Sequence, residues 1–310
     1  MTLQLPKKPM SPLLNEQIPK GDEWGYQLKW DGVRVLAAID HGVINLFSKK
    51  LLNKNETYPE IMQLLNDPNL SVGFNSILLD GEIIVFDQES KKPNFSKVLQ
   101  REKTRSTSMQ TKYPVSYVLF DLLYLNGVDW RKKPFRERYK MLQSLFPKTS
   151  SSLFVTDLFY DGEDLWNWVA SNQWEGIVSK KLTSTYHDGK KHTDWYKKKI
   201  TSFFDVQIVG ITLKNKFLSS LVMAYNGSYF GRVSSGLNQQ WKEVLLLYSK
   251  LHLANNSFFT LLPPDLKGEQ ITWLNKPFPC RVKGLEITSS GVLRHPQIEK
   301  IDIHQLYPQK

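Results

Sequence analysis

Leu28-Lys29-Trp30-Asp31-Gly32-Val33-Arg34 is the stretch on which the reading of this chain turns. An amine is followed two residues later by a carboxylate, then by a glycine and an arginine. The flanks, from Tyr26 to Ile39, alternate in polarity and are rich in β-forming residues. The stretch therefore predicts strand, tight turn, strand, with Gly32 permitting the turn and Lys29 and Arg34 on either side of it. That spacing suits a lysine that attacks a nucleotide phosphate and holds the nucleotide covalently. Such a lysine must first lose its proton, which nearby positive charge or desolvation promotes.

Working outward, residues 1–22 are polar and rich in proline and are expected to be extended. Tyr58 to Asn66 reads as a helix, with Ile61, Leu64 and Leu65 on one face. Ile77 to Phe86 reads as a strand interrupted by Asp80-Gly81-Glu82, and Val115 to Leu125 as a nearly all-apolar strand carrying Asp121. Pro134 to Phe146 is a helix with proline near its start. Asp161 to Asn172 is another helix, and Gly176 to Lys180 a short strand.

Beyond Ile200 the texture changes. Phe203 to Leu213, Ser220 to Tyr225, Ser228 to Val233 and Arg281 to Thr288 look like short strands, with Asn226-Gly227 as a hairpin turn. One helix, Asn238 to Leu251, interrupts them. Several strands and one helix fit a small Greek-key barrel of the OB type. The expected organisation is two domains, residues 1–200 and 201–310. A length of 310 residues agrees, since single domains usually run ~100–200.

The formal net charge of +11 favours a polyanionic partner such as nucleic acid. No apolar run approaches the ~20 residues of a spanning helix, and the N-terminus lacks the apolar region of a secretory signal; no membrane partner is expected. The single cysteine, Cys280, permits neither an internal disulfide nor a cysteine-based zinc site and reads as a small buried hydrophobe in a reducing cytosol.

Several chemistry-bearing residues follow Lys29. Arg34, Lys197 and Lys199 can neutralise a triphosphate and the charge of a transition state, if the fold gathers them. Glu82 and Glu175 can hold a divalent cation, since Mg²⁺ takes one or two carboxylates and completes its shell with phosphate oxygens. Taken singly these are common turns, a core aromatic at Phe120 and solvated basic faces. Their order carries the specificity: Lys-x-Asp-Gly-x-Arg, Asp80-Gly81-Glu82, Phe120-Asp121, Glu175-Gly176-Ile177-Val178, then Trp195-Tyr196-Lys197-Lys198-Lys199.

In that order the series resembles the covalent nucleotidyltransferase superfamily of ATP-dependent DNA ligases, RNA ligases and mRNA-capping enzymes. Within it the chain is most similar to bacterial DNA ligases of the ligase D type and their short stand-alone relatives. Tyr117 to Gly127, Pro134-Phe135-Arg136-Glu137-Arg138, Gly231-Arg232-Val233 and Leu293-Arg294-His295-Pro296 carry that closer likeness. The resemblance implies an α+β nucleotidyltransferase domain, with ATP-grasp-like antiparallel sheets and flanking helices, followed by a C-terminal OB-fold β-barrel. It implies that Lys29 becomes the lysyl-adenylate, that Asp31 orients it, and that Arg34 lies near the ribose and the nick phosphate. Glu82 would contact the ribose and, with Glu175, the metal; Phe120 would stack on adenine; Arg136, Lys197 and Lys199 would bind the nucleotide. Ser48, Lys49, Lys50 and Arg294 are the implied DNA-binding residues. The cofactors implied are ATP, as covalent AMP, and Mg²⁺ or Mn²⁺.

Three positions depart from the family pattern. Gln27 stands where a glutamate often reads the adenine amino group; its amide oxygen still accepts that hydrogen bond, without the charge. Ser48-Lys49 replaces a Ser-Arg pair and loses the arginine's fork. The closing Arg-x-Asp-Lys motif is absent, with Asp302 and Gln305 at its basic positions. Either Arg294, Lys300 or another basic residue substitutes, or self-adenylation is slow.

The activity so implied is sealing of 5′-phosphate/3′-hydroxyl nicks in double-stranded DNA by an adenylated lysine and a DNA-adenylate, with the link near Ile200 as a hinge between steps. Basic clusters at Lys49, Lys50 and Lys54, at Lys97, Arg101, Lys103 and Arg105, and at Lys190, Lys191 and His192 together suggest a DNA-facing surface. The family further implies a minimal, monomeric enzyme of bacterial or phage cytoplasm, with a Ku-like end-binding protein as a partner. An RNA ligase, a capping-type guanylyltransferase and an adenylation-deficient nucleic-acid-binding protein are the competing readings.

Overall fold

The computed structural model describes residues 3–67, 74–103, 112–147, 150–284, 287–288 and 290–301. Arg105 and the Asp302–Gln305 stretch lie outside them. The chain divides into two compact units, Met1–Ile200 and Thr201–Lys310.

In the first unit the elements run β1 (Leu13–Leu14), β2 (Trp24–Leu28), β3 (Val33–Asp40), β4 (Val43–Ser48), α1 (Pro59–Leu65), β5 (Ser76–Ile84), β6 (Phe86–Asp87), β7 (Lys92–Pro93), α2 (Phe95–Lys103), β8 (Ser116–Leu125), β9 (Val128–Asp129), α3 (Phe135–Leu145), β10 (Leu153–Val155), α4 (Gly162–Ser171), β11 (Gly176–Lys181) and β12 (Trp195–Lys199). Two sheets dominate. One has the order β10-β8-β5-β3-β4, with β9 on β8; the other has the order β1-β12-β11-β2.

The larger sheet is buried on both faces, and the period of two along its strands assigns each residue to one of two cores. Val35, Ala37 and Ile39 of β3, with Ile77 and Leu79 of β5, pack with α1 and with Leu142 and Phe146. Leu36, Ala38 and Leu78 face the other way, onto Met10, Phe135, Tyr186 and Trp195. Along this second face, toward the start of β3 and the end of β5, the same parity brings Arg34, Asp80 and Glu82 into line. The site described below begins where that apolar face turns polar.

The decisive stretch is not a hairpin. β2 pairs with β11 in the smaller sheet, whereas β3 pairs with β4 and β5 in the larger one. Residues 29–32 therefore cross from one sheet to the other. Gly32 is needed for close approach rather than for a left-handed turn: a Cβ there would lie 2.2 Å from the Ile83 carbonyl oxygen.

The predicted helices at Tyr58–Asn66, Pro134–Phe146 and Asp161–Asn172 occur within a residue or so of those limits. Asp161 caps α4 by accepting from the Glu163 and Asp164 amides. Three features differ from expectation. Asp80-Gly81-Glu82 does not interrupt β5, which runs continuously; the irregularity is a register shift against β8 at Asp80/Gly81. Helix α2 was not anticipated, because its sequence reads as a basic cluster. The N-terminal segment is held rather than free: Met10 is fully buried, and β1 adds in parallel to β12.

In the second unit, β13 (Ser202–Lys214), β14 (Phe217–Tyr225), β15 (Ser228–Val233), β16 (Gln270–Gly284) and β17 (Gln297–Ile301) form one sheet in the order β15-β14-β13-β16-β17. Helix α5 (Gln239–Leu251) packs on it through Leu245 and Tyr248. The edges meet at a single parallel bridge, Ser235 to Gln297. Among the described residues no continuous ladder closes the sheet, so the expected barrel is an open one. β16 begins well before the predicted Arg281, since Pro277 and Pro279 read as breakers; they fall beside the register shift at Ile208/Gly210, where β13 leaves residues 274–277 unpaired.

Candidate active site

A cavity of about 500 Å³ in the first unit is lined by Gln27, Lys29, Arg34, Ser48, Lys49, Lys50, Glu82, Phe120, Val178, Lys180, Trp195 and Lys197, among others. Each arrives there for a local reason. Lys29 lies in the crossover between the sheets, its amide bonded to the Gly176 carbonyl at 2.9 Å. Trp195, Lys197 and Lys199 share a parity on β12, which is why the basic pair is spaced by one residue. Lys198, of opposite parity, lies 4.2 Å from the Trp166 ring instead. Phe120 is the extra residue of the β8 bulge: Asp80 faces Asp121 and Gly81 faces Leu119, leaving Phe120 without a partner across the ladder. Bulges re-aim side chains in this way, and this one presents the ring to the cavity.

Glu175 links Lys29 to Lys199, although neither Glu175 nor Lys199 is among the residues that line the cavity. Its Oε2 accepts from Lys29 Nζ at 2.7 Å and its Oε1 from Lys199 Nζ at 2.7 Å. Burial, the largest influence on Lys29, lowers its pKa, but the carboxylates of Glu175, Glu82 and Asp31 outweigh it and hold the amine above its ordinary value. The amine is thus stored protonated, the reverse of the activation by neighbouring cations expected from the sequence. Those cations are engaged elsewhere: Lys199 on Glu175, and Arg34 in a two-pronged pair with Asp80, Nε to Oδ1 at 2.8 Å and Nη2 to Oδ2 at 2.6 Å. Arg34 also donates to the Met10 carbonyl at 2.6 Å, and Tyr186 donates its hydroxyl to Asp80 at 2.8 Å. Arg34 therefore also clamps the N-terminal segment that contributes Ser11 and Pro12 to the cavity wall.

Among the described residues neither Lys197 nor Lys49 forms an ion pair, although the Glu82 carboxylate pulls on Lys49. Lys197 is pushed down to about 8, by desolvation first and then by Lys199, Lys29, Lys190 and Lys49. Lys49 is lowered as well, by desolvation and then by Arg34 and Lys190. Crowded amines without carboxylate partners favour a bound polyanion. Glu82 is pushed up to about 8 by desolvation, against the pull of Lys29 and Arg34. Among the described residues no cluster of three or more metal-ligating side chains occurs. Two carboxylates are nonetheless enough for Mg²⁺ when phosphate oxygens and water complete its shell. The half-buried Glu82 carboxyl, which a cation would relieve, fits that role.

Other anticipated residues lie elsewhere. Arg136 on α3 is exposed and does not line the cavity; its neighbour Arg138 is fully buried and grips Asp121, Nε to Oδ1 at 2.7 Å and Nη2 to Oδ2 at 2.9 Å. Asp121 is thus structural. Arg294 belongs to the second unit. The basic clusters dissolve in part: Lys54 pairs with Glu102, buried Arg101 with Glu60, and Lys97 with Asp87 at 3.1 Å.

Lys180 was not singled out from the sequence. Its Nζ donates to the Phe120 carbonyl at 3.1 Å and lies 4.7, 4.5 and 4.2 Å from the Phe120, Phe135 and Trp195 rings. Desolvation pushes it down to about 7, opposed by Asp121 and Asp80. The signal available was its place five residues after Glu175, on the strand that begins Gly176-Ile177-Val178 and with the parity of Val178.

Residues 8–199 match the profile of the ATP dependent DNA ligase domain. The chain belongs to the ATP-dependent DNA ligase family. Over 289 residues this ligase-family chain is 30% identical to the multifunctional non-homologous end joining DNA repair protein LigD of Mycobacterium tuberculosis, covering 89% of the chain but 35% of that protein. It is 27% identical over 294 residues to the LigD protein of Pseudomonas aeruginosa, covering 91% of the chain and 34% of the relative. The chain thus spans about a third of the length of these relatives. Among solved structures, it is similar to mycobacterial DNA ligase D complexed with ATP and MES, with 27% identity, a TM-score of 0.56 and 95% of each chain covered. A Lig E DNA ligase shares the fold at 15% identity and a TM-score of 0.63, covering 95% of this chain and 98% of that one. The architecture is that of ligase nucleotidyltransferase domains with an OB fold.

Proposed function

We propose that the chain is an ATP-dependent DNA ligase that seals 5′-phosphate/3′-hydroxyl nicks through a Lys29–AMP intermediate. The observation that carries this is the position of Lys29: a half-buried amine in a cavity of about 500 Å³, paired to Glu175 and close to Lys49 and Lys197, which form no ion pair among the described residues.

In this mechanism ATP enters with its base against Phe120 and Val178 and its phosphates toward Lys49 and Lys197. Glu82 and Glu175 are the residues that would hold Mg²⁺ or Mn²⁺, which would supply charge neutralisation and Lewis-acid polarisation of the phosphates. When Glu175 gives up its contact with Lys29, the desolvation of the amine is left less opposed, its pKa falls, and the free amine attacks the α-phosphorus, breaking its bond to the bridging oxygen and releasing pyrophosphate. Lys197 and Lys199 offset the charge on the transferring phosphoryl group. The adenylate then passes to the 5′-phosphate of a nick, and attack by the 3′-hydroxyl seals the strand and releases AMP. Arg34 holds the cavity wall through Asp80 and Met10 and offers its guanidinium beside Phe120, 5.3 Å from the ring centroid. Asp31 adjoins the nucleophile and helps to orient it. Ser48, Lys49 and Lys50 at the cavity and Arg294 in the second unit serve the nucleic acid. The LigD relatives are named for non-homologous end joining, which makes end joining the pathway to test first and a Ku-like protein the partner to test first.

Incubation with α-labelled ATP and Mg²⁺ or Mn²⁺ should leave label on the denatured protein and none on Lys29→Ala. An unlabelled wild type, or equal label on Lys29→Ala, sinks the mechanism. Nicked DNA and nicked RNA offered side by side separate this reading from an RNA ligase, with DNA expected to be sealed faster.

A further inference from the structure

Gln27 is only 2% exposed. It stands on β2 directly across the ladder from Val178, and both residues line the cavity together with Phe120. Its Nε2 is buried without a hydrogen-bond partner, and among the described residues no group bonds either end of its amide. A buried polar group left in that condition is disfavoured, so a ligand that completes its hydrogen bonds gains by entering. The amide's two ends have opposite character, one an acceptor and the other a donor, in nearly the same shape. Rotation about the last side-chain torsion exchanges them without changing the packing, and no protein group favours either orientation.

We propose that Gln27 is a specificity-determining residue that lets the base subsite accept both 6-amino and 6-oxo purine nucleotides. This rests on the nucleotide-transfer reading of the cavity given above. The Watson–Crick edge of a 6-aminopurine offers a donor at N6 and an acceptor at N1. That of a 6-oxopurine offers an acceptor at O6 and a donor at N1. The two edges are reversed copies of one another, and an amide free to flip pairs with both atoms of either edge. In one orientation Oε1 accepts from N6–H while Nε2 donates to N1; in the other Nε2 donates to O6 while Oε1 accepts from N1–H. A carboxylate at this position has only acceptors. In a cavity lined by Lys29, Lys49 and Lys197 it would be held ionised; it would accept from the one donor of either edge, N6–H or N1–H, and would face the other atom, N1 or O6, acceptor to acceptor. The apolar walls, Phe120 and Val178, contact the base by its faces and do not distinguish the two edges.

The test follows transfer of label to Lys29 in the full chain, using α-labelled ATP and α-labelled inosine triphosphate. Inosine differs from adenosine only on this edge and avoids the extra amino group of guanine. The two triphosphates should label wild type with rate constants within about tenfold of each other, since both edges are satisfied. Gln27→Glu should slow both nucleotides by roughly 10- to 100-fold, the effect of one unmatched buried polar contact on either edge. Gln27→Met, which keeps the bulk and removes both hydrogen bonds, should slow both nucleotides and leave the ratio near that of wild type. A wild type that takes ATP but excludes inosine triphosphate by more than ~100-fold overturns the proposal whether or not the variants fold, and leaves the ligase reading standing. Gln27→Glu that labels as fast as wild type with both nucleotides overturns it as well. If neither nucleotide labels the wild type, the parent reading fails and this inference falls with it.

Discussion

Two opposite pulls act on the buried carboxyl and amine groups around Lys29, and pH separates them. Desolvation raises Glu82 from an ordinary 4.5 to about 8, so the folded protein binds a proton there that the unfolded chain has already released. Stability from this group is full below about pH 4.5 and is lost as pH rises through about 8. In the absence of nucleotide and metal, the wild-type melting temperature should therefore fall, relative to that of Glu82→Gln, as pH rises from about 5 to 8. A constant difference across that range would refute the assignment. Lys180 acts in the opposite sense, because its pKa is pushed down from 10.5 to about 7: the unfolded chain binds the extra proton, and stability rises over that higher window. Asp80 and Asp121 show why a buried acid need not be catalytic, since each is matched by an arginine in two-pronged geometry.

Elements place these residues more than their own chemistry does. The β8 bulge turns Phe120 into the cavity, the alternation of β12 sends Lys197 and Lys199 one way and Lys198 the other, and the β2–β3 crossover lifts Lys29 out of both sheets. Gly176, at the start of β11, carries the tightest constraint. Its φ is +151°, and a Cβ there would lie 2.1 Å from the Lys198 carbonyl oxygen. Gly176→Ala should therefore force β11 from β12, costing about 1–3 kcal/mol through backbone strain alone and lowering the melting temperature by ~2–10 °C. Because the Gly176 carbonyl also accepts from the Lys29 amide, label transfer from ATP should fall in the same variant. A fully stable, fully active Gly176→Ala would show that the β11–β12 contact does not govern the site.

At the scale of the whole molecule the net charge of +11 is distributed unevenly between paired and unpaired groups. Lys54, Lys97 and Arg101 are neutralised locally, whereas Lys49 and Lys197 crowd one another at the cavity. DNA held by such groups releases counterions, so affinity should fall about 10³-fold or more between 50 and 200 mM salt if some six phosphates are contacted. Nick binding measured across that range is the check, and a flat response would remove the basic surface from the account. Among the described residues no helix is long and apolar enough to cross a membrane.

The order of short motifs along the chain determined the family, because the site's groups follow one another in or beside successive strands: Lys29, Glu82, Phe120, Glu175, then Lys197 and Lys199. Strand and helix periodicity likewise made the apolar faces legible, since burial imposes a period that composition alone reveals. Partnership was not legible. That Lys29 is held protonated by Glu175, that Arg34 is spent on Asp80, that Arg138 rather than Arg136 is buried, and that the Gln27 amide has no partner among the described residues all depend on contacts between residues far apart in the chain. Charge pairing and desolvation are properties of distance and surroundings, and only the packed sheets set those.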